Sequence, residues 1–368
     1  MSIYIISNRP IVEKTKTEKE HFNDNGTLSA LPGFRIAKWN DLQEEYPYEL
    51  LPDTSQADYD RVEKAINGKL DMDSLDGTEQ MFCDLYMSMS TALAGHADVL
   101  FFIHGFATSH LDEIEHIRLL KELYVDNPES CIQHLIYISW PTSNNEVLTY
   151  WSDKSDSITT GQNLARIYIK LNQFLYTMFK KYNNENCQQH IHIMAHSMGN
   201  QVFKQMVMNL ESKYIVPFIG EILLLHADVS SNSFETDEPF SKLSKLGHRT
   251  HIYIHKQDKA LDISTYTKNF DARLGKTGPS NIKNLDQQTY VVDCTGVSYK
   301  LPENSTFFTN LKIKLGDHWG YLYSPEEIRD IINVLKGTDE RRIEGRKRHD
   351  MYTNYFYLES SEIIKKIN

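Results

Sequence analysis

Cysteine, glycine and proline are scarce in this chain of 368 residues, and each scarcity excludes a class of protein. The four cysteines lie far apart and form no C-x-x-C pair, which excludes a disulfide framework and a thiolate zinc site. The 17 glycines and 11 prolines are too few for a collagen-like or low-complexity chain. We expect reduced thiols in a cytoplasmic protein at Cys83, Cys131, Cys187 and Cys294.

Long apolar runs and a surplus of basic charge are also missing. No run reaches the ~20 apolar residues that a membrane-spanning helix needs, and the N-terminus has no features of a secretory signal. Lys and Arg number 39 against 50 Asp and Glu, a formal net charge of −11, which argues against a nucleic-acid partner. The sequence therefore predicts a soluble globular protein without a transmembrane segment.

Short runs of β-branched and aromatic residues alternate with longer amphipathic stretches. This pattern predicts an α/β fold with a mostly parallel central sheet and helices on both faces. Runs such as 99–103 and 222–225 are apolar at consecutive positions, as central strands buried on both faces require. The predicted strands are 3–7, 33–39, 98–103, 134–140, 190–195, 220–226, 250–255 and 288–294. The predicted helices are 78–93, 111–127, 157–183, 199–212 and 324–336.

The alternation predicts a single domain over residues 1–336, because no internal repeat and no flexible linker divides it. Within it, residues 10–77 form a polar, turn-rich segment in which we expect one strand. Residues 337–368 carry a basic run and then an aromatic run, a combination also found in nucleic-acid binders. Acidic residues offset the basic ones, so we expect a charged and aromatic extension packed on its own domain or on a partner. The sequence does not determine the oligomeric state.

The strongest chemical signal is a serine at the junction of a predicted strand and a predicted helix. A nucleophile elbow holds its serine at such a junction, in a turn so tight that the residues two before and two after must be small. Ala195 and Gly199 occupy those positions around Ser197. An ordinary helix N-cap serine is the alternative interpretation.

A second signal lies at the end of the predicted strand 98–103, in His104-Gly105-Phe106. In α/β hydrolases the loop after this strand supplies one backbone N–H of the oxyanion hole, and the residue after the nucleophile supplies the other. These donors are predicted to be Phe106 and Met198. His104 is interpreted chiefly as a structural histidine that binds the loop.

The third signal is an acid followed by a histidine, the order that this fold requires after the serine. Asp258 follows the predicted strand 250–255, and Asp228 follows the strand before it. We favour Asp258, because the acid of this fold usually follows the later strand, and keep Asp228 as the alternative. His318 is the one histidine between the last predicted strand and the closing helix. The acid would bind its Nδ1 and fix the tautomer that takes the serine proton.

Aromatic residues in the segment 140–157 suggest an apolar wall for an acyl chain. The alternative is that they pack the next helix onto the sheet. The possible pocket residues are His104, Trp140, Tyr150 and Trp151.

The chain contains no complete sequence motif for binding a cofactor or a metal. Gly275-Lys276-Thr277 resembles the end of a P-loop, but Phe270 stands where the earlier glycine is required. No G-x-G-x-x-G opens a predicted helix, and the chain has no H-E-x-x-H. We therefore expect neither a cofactor nor a metal.

Several motifs occur in an order that resembles an uncharacterised bacterial α/β-hydrolase family, a domain of unknown function within the serine esterase/lipase superfamily. The resemblance covers about residues 98–335. It implies the α/β-hydrolase fold and the triad Ser197, Asp258 and His318. The chain departs from the family at Thr142, where the family has Ser, and at His226-Ala227, where it has Ala-Pro. The motifs that carry the resemblance are His104-Gly105-Phe106, Ser139-Trp140-Pro141-Thr142, Ala195-His196-Ser197-Met198-Gly199-Asn200, His226-Ala227-Asp228-Val229, Asp258-Lys259-Ala260-Leu261 and His318.

The predicted function is a serine hydrolase that cleaves a small-molecule carboxylic ester through an acyl-enzyme. Amidase, thioesterase and peptidase activities stay open, because the fold does not fix the leaving group. The alternative from another class is a non-catalytic protein of the same fold that binds a partner or a ligand through the pocket.

Overall fold

One large sheet organises the molecule. The computed structural model describes the chain except for residues 16–18, 25–29, 44, 53–57, 92–96, 107, 143–149, 183–188, 263–270, 300–316 and 361–368, and except for the side chains of 150–154. The strands in the described part are β1 (Ser2–Ser7), β2 (Ile11–Val12), β3 (His21–Phe22), β4 (Arg35–Trp39), β5 (Tyr48–Leu50), β6 (Asp98–Ile103), β7 (Ile132–Ser139), β8 (Ile191–His196), β9 (Ile219–Leu225), β10 (Gly247–Ile254), β11 (Thr289–Asp293), β12 (Arg346–Arg348) and β13 (Tyr355–Leu358).

Eleven of these strands form the sheet, in the order β12-β13-β11-β10-β9-β8-β6-β7-β1-β4-β5. All pairs from β13 to β1 are parallel, and the pairs at both edges are antiparallel. β2 and β3 form a separate antiparallel pair. The predicted mostly parallel α/β sheet is therefore confirmed.

Helices cover both faces of the sheet. They are α1 (Tyr59–Ile66), α2 (Gly77–Thr91), α3 (His110–Leu120), which continues as a π-helical turn, α4 (Tyr150–Lys181), α5 (Gly199–Met208), the single turns Leu274–Thr277 and Gly320–Tyr323, and the C-terminal helix (Pro325–Leu335). None of the helices in the described part combines the length and the apolar character that crossing a bilayer requires.

Alternate residues of the central strands pack into two apolar layers. On β6, Phe101 and Ile103 contact the layer that contains α1, α2, α4 and α5. Leu100 and Phe102 contact the opposite layer, which contains α3 and the C-terminal helix. Burial on both faces explains why the predicted central strands are apolar at every position.

The eight predicted strands all occur, with ends within three residues of the prediction. The largest helix error is at α4, which begins at Tyr150 instead of 157. No glycine or proline interrupts residues 150–160, so the helical hydrogen-bond pattern extends seven residues ahead of the predicted start. Residues 150–157 of the expected acyl wall are therefore helical. Residues 143–149 of that segment lie outside the described part.

The N-terminal segment 10–77 contains more structure than the single expected strand. Besides β4 it contributes β2, β3, β5 and α1. The additional strands have only two or three residues, too few for an alternating pattern to reveal them.

The C-terminal segment also enters the sheet. The aromatic run forms β13, which pairs in parallel with β11, and the basic run forms β12 beside it. Arg346 of the basic run is buried and binds both oxygens of Asp330, at 2.6 and 2.7 Å. The segment after residue 336 is thus continuous with the sheet, because aromatic residues favour strands and β11 offers an edge to pair with.

The start of the C-terminal helix agrees with its sequence. Ser324 caps it by accepting a hydrogen bond from Glu327 N–H at 3.3 Å, and Pro325 takes the first position. The segments after β6, β8, β9, β10 and β11 all leave the sheet at the carboxyl ends of parallel strands. Open α/β sheets build their sites at this edge.

Candidate active site

Ser197 lies in the turn between β8 and α5. Its φ of +52° is in the left-handed region, which costs a residue other than glycine about 1–2 kcal/mol. Two hydrogen bonds hold this backbone in place: Ser197 N–H donates to Leu225 O, and Asp228 N–H donates to Ser197 O, each at 3.0 Å. The neighbouring strand β9 therefore fixes the strained turn.

Gly199 allows the start of α5 to contact the end of β6. A Cβ at residue 199 would lie 2.4 Å from Ile103 O and 2.6 Å from His104 O. Any side chain here would therefore separate the helix from the strand. The small residue expected two positions after the serine is required by this contact.

The side chain of Asn200 stabilises the turn through buried hydrogen bonds to the backbone. Its Nδ2 donates to Ala195 O at 2.8 Å and to Ser197 O at 3.1 Å. The side chain is fully buried, so it cross-links the strand end before the serine with the turn after it. Our sequence analysis gave Asn200 no role. The sequence signal for this role is an asparagine directly after the glycine of the serine turn.

The loop after β6 lies against the serine. A Cβ at Gly105 would come within 2.8 Å of Ser197 Cβ, so the backbone of the loop approaches the serine as closely as a chain can. Phe106 follows in this loop, and Met198 is the N-cap of α5, where the helix dipole is positive. The two predicted oxyanion donors thus belong to segments that flank Ser197.

Asp258 and His318 are joined by a short hydrogen bond. His318 Nδ1 lies 2.6 Å from Asp258 Oδ2, and Leu261 N–H donates to the other oxygen at 3.1 Å. Burial alone would raise the pKa of Asp258, but His318 and His226 outweigh it and hold that pKa well below its usual range. The ionised carboxylate keeps the proton of His318 on Nδ1, which leaves Nε2 as the proton acceptor.

Asp228, the alternative acid, binds a different partner. Its Oδ1 lies 3.4 Å from Arg273 Nε, and its backbone N–H supports Ser197 O. The acid that the structure brings to His318 is Asp258.

His196 connects the strand before the serine to the segment of His318. Its Nε2 lies 2.8 Å from His318 O, and the two rings are 4.7 Å apart. Burial first, and then the neighbouring histidines, lowers the pKa of His196 well below its usual value. A neutral ring therefore donates from Nε2 to that carbonyl. Among the described residues, Ser197 Oγ makes no hydrogen bond to the His318 ring.

A family assignment follows from the sequence of the region that holds this site. Residues 86–308, more than half of the chain, match the family model described as alpha/beta hydrolase of unknown function (DUF900). The chain belongs to this family. The match includes Ser197 and Asp258 and ends before His318. The resemblance to an uncharacterised α/β-hydrolase family is thereby confirmed. Searches of curated proteins and of solved structures found no match.

Two of the expected pocket residues of this alpha/beta hydrolase are core residues. His104 and Trp140 are fully buried. Trp140 Nε1 donates to His104 O at 3.0 Å, and the two rings stack at 5.4 Å. The stacked faces of these two rings are therefore closed to a substrate. The side chains of Tyr150 and Trp151 lie outside the described part.

His104 has the structural role that we favoured for it. Its Nδ1 lies 2.7 Å from Gly105 O, and its Nε2 lies 2.7 Å from Glu113 Oε1. Glu113 also binds Arg9 at 3.0 Å and His110 at 2.8 Å, all with fully buried side chains. This network fixes the start of the loop that carries Phe106.

Two groups of side chains in the described part have the proximity that a metal site needs. Asp98, Cys131 and His192 form one, at the amino-terminal edge of the sheet. Glu221 N–H donates to His192 Nδ1 at 3.0 Å, so the ring proton is on Nε2, 3.2 Å from Asp98 Oδ2. A metal on Nε2 would leave this ring without a proton. The group therefore fits a His–Asp hydrogen bond and not a metal.

The second group consists of His226, Asp258 and His318. Two ligands of a tetrahedral zinc with bonds of ~2.0–2.1 Å lie about 3.3 Å apart. The 2.6 Å between His318 Nδ1 and Asp258 Oδ2 is shorter and fits a direct hydrogen bond to an ionised carboxylate.

Proposed function

We propose that the chain is a serine hydrolase that cleaves a carboxylic ester through an acyl-enzyme. The observation that carries the proposal is the 2.6 Å hydrogen bond between His318 and Asp258. His196, the last residue of β8 before the strained Ser197, binds the backbone of His318 and so connects the two segments. A serine, an oriented histidine and a buried carboxylate are the groups that acyl transfer requires.

In this mechanism His318 Nε2 takes the proton of Ser197 Oγ as that oxygen attacks the acyl carbonyl. Asp258 stays ionised and stabilises the imidazolium that forms. His318 then gives the proton to the leaving alkoxide, and the acyl group remains on Ser197. A water molecule, deprotonated by His318, releases the carboxylic acid and restores the serine.

The backbone N–H groups of Phe106 and Met198 would bind the oxyanion. Such donors act in a site from which water is excluded, and removal of one typically costs about 10²–10³ in kcat. Gly105 supports this assignment, since its contact with Ser197 brings the loop to the side of the reacting carbon. The start of α5 adds its positive dipole at the same point.

The test is covalent labelling by a fluorophosphonate probe, read by mass spectrometry of the labelled peptide. We expect the label on Ser197 and none in Ser197→Ala. The same substitution should reduce hydrolysis of p-nitrophenyl acetate by ~10³-fold or more. Ser212→Ala, at an exposed serine, is the matched control and should label like the unmodified chain.

The outcomes separate the alternatives. Label on Ser197 together with turnover of esters, and slower turnover of matched amides and thioesters, supports the proposal. Faster turnover of an amide or a thioester than of the matched ester would change the proposed substrate class from esters to that compound class. A folded chain that neither labels nor hydrolyses any of the three would be a binding protein with a hydrolase fold.

A further inference from the structure

His226 lies between two buried carboxylates behind the candidate triad. Its Nδ1 is 3.6 Å from Asp258 Oδ2, and its Nε2 is 3.2 Å from Glu327 Oε1. All three side chains are fully buried. A neutral imidazole can donate to only one of these oxygens, whereas an imidazolium can face both.

The backbone holds His226 in a strained position. Its φ of +44° is left-handed, and its N–H donates to Tyr253 O on β10 at 3.1 Å. Gly275 packs directly on this turn, since a Cβ there would lie 2.2 Å from His226 C. Strain that the surroundings enforce at a buried residue is a reason to look for function.

The charge of His226 follows from its surroundings. Burial alone would lower the pKa of this ring, but Glu327 and Asp258 outweigh burial and raise the pKa to about 10. Glu327 is held at the start of the C-terminal helix, and its Oε2 lies beside Gly320, where a Cβ would approach it to 2.0 Å. The segment of Gly320 therefore packs directly on this carboxylate.

Two further histidines face His226, and both are neutral near pH 7. Burial, and then the neighbouring histidines, lowers the pKa of His196 on β8. Burial, and then the charge of His226, lowers the pKa of His255 after β10. Neither ring can substitute for the positive charge of His226.

The remaining titratable groups lie on the Glu327 side. Burial, followed by the charge of Glu327, raises the pKa of Cys294 and of Tyr299, so both stay neutral. Asp317 is partly exposed and lies 3.9 Å from His255 Nδ1. The buried charges around His226 and His318 are therefore those of Asp258, His226 and Glu327, and Asp317 adds a partly exposed carboxylate.

We propose that His226 is a positioning residue of this site, an imidazolium that anchors Asp258 and cancels the charge of Glu327. The inference rests on the proposed function. With His226 charged, the three buried charges near His318 sum to that of one carboxylate. Without that charge, His318 faces two carboxylates and keeps its proton to higher pH, where it cannot act as a base.

The size of the effect follows from distance. The rings of His226 and His318 are 5.9 Å apart. At the effective dielectric constant of a protein, loss of one charge at this range shifts a titration by about one to two pH units.

The experiment measures the rate of fluorophosphonate labelling of Ser197 against pH. The labelling rate should rise with pH as His318 loses its proton, and this rise is the acidic limb of the profile. In His226→Gln the acidic limb should move to higher pH by about one to two units. In the double variant His226→Gln with Glu327→Gln, which removes both charges, the limb should return toward that of the unmodified chain. His248→Gln, at an exposed histidine, is the control and should leave the limb in place. A limb that stays in place in His226→Gln, or that the double variant does not restore, overturns the proposal.

A second measurement needs neither a reaction nor a folded His226 variant. In long-range ¹H–¹⁵N spectra of the unmodified chain, His226 should carry two protonated nitrogens from pH 5 to 8.5. Its signal is the one that changes most in Glu327→Gln. A neutral His226 at pH 7 overturns the proposal. If Ser197 fails to label while His226 is doubly protonated, the proposed function has failed and the charge assignment stands.

Discussion

The backbone of Gly105 lies against the side chain of Ser197, so that a side chain at residue 105 would place its Cβ 2.8 Å from the serine Cβ. The same Cβ would lie 3.0 Å from His196 Nδ1. Two segments far apart in sequence, the loop after β6 and the turn after β8, are therefore fitted to each other at the candidate nucleophile.

Substitution of Gly105 tests this fit. In Gly105→Ala the loop must move away from Ser197, and a displacement of about 1 Å typically costs about 10²-fold in rate. We expect that loss in kcat/KM for p-nitrophenyl acetate. Gly33→Ala is the matched control, because no atom lies within 4 Å of its added Cβ, and it should change neither rate nor stability. Unchanged kcat/KM in Gly105→Ala would remove the loop from the site.

Exchange of the two acids for their amides tests the triad. Asp258→Asn should reduce kcat by about 10³–10⁴-fold, because the amide stabilises the wrong tautomer of His318. Asp228→Asn should cost less than ~10-fold, since Asp228 binds Arg273 instead of the histidine. The measurement is kcat for both variants in one ester assay. The opposite ranking would assign the acid to Asp228.

The strain at Ser197 predicts a stability difference between two inactive variants. Ser197→Gly and Ser197→Ala both remove the hydroxyl, but only glycine adopts a φ of +52° without a penalty. The glycine variant should be more stable by about 1 kcal/mol, after its greater loss of chain entropy. Urea unfolding of the two proteins measures the difference. A glycine variant that is less stable than the alanine variant would mean that the turn stores no strain.

Glu113 should make folding stability depend on acid pH. Burial would raise its pKa, but Arg9 and His104 outweigh burial and hold the pKa well below its usual value. The unfolded chain therefore binds this proton first, and the free energy of unfolding should fall as the pH drops below about 4.5.

Removal of the charge tests that contribution. Glu113→Gln should lower the free energy of unfolding at pH 7 by about 3–5 kcal/mol, because Arg9 is left buried without its partner, and should flatten the loss of stability below pH 4.5. Glu115→Gln, on the same helix but with a half-exposed side chain, should cost less than ~0.5 kcal/mol. Equal effects of the two substitutions in urea unfolding would contradict the role of the network.

The sequence was sufficient for features that depend on neighbours along the chain. Consecutive apolar residues identified the central strands, since burial on both faces leaves no polar position. The helix cap at Ser324 could be predicted because the residue that it binds, Glu327, is three positions further along the chain. The triad Ser197, Asp258 and His318 was predicted from the order in which these residues follow predicted strands, and it stays a prediction.

Only the tertiary structure decided which distant groups meet. Asp228 and Asp258 both follow strand ends, and the choice between them depends on where Arg273 and His318 arrive in space. Strands of two or three residues and the pairing of β13 with β11 depend on a partner strand, which local sequence does not specify. His226 shows the same limit. Its sequence neighbours give no sign of the charge that we propose. That charge depends on Asp258 and on Glu327, 101 residues away in the chain, because two nearby carboxylates outweigh the effect of burial on one imidazole.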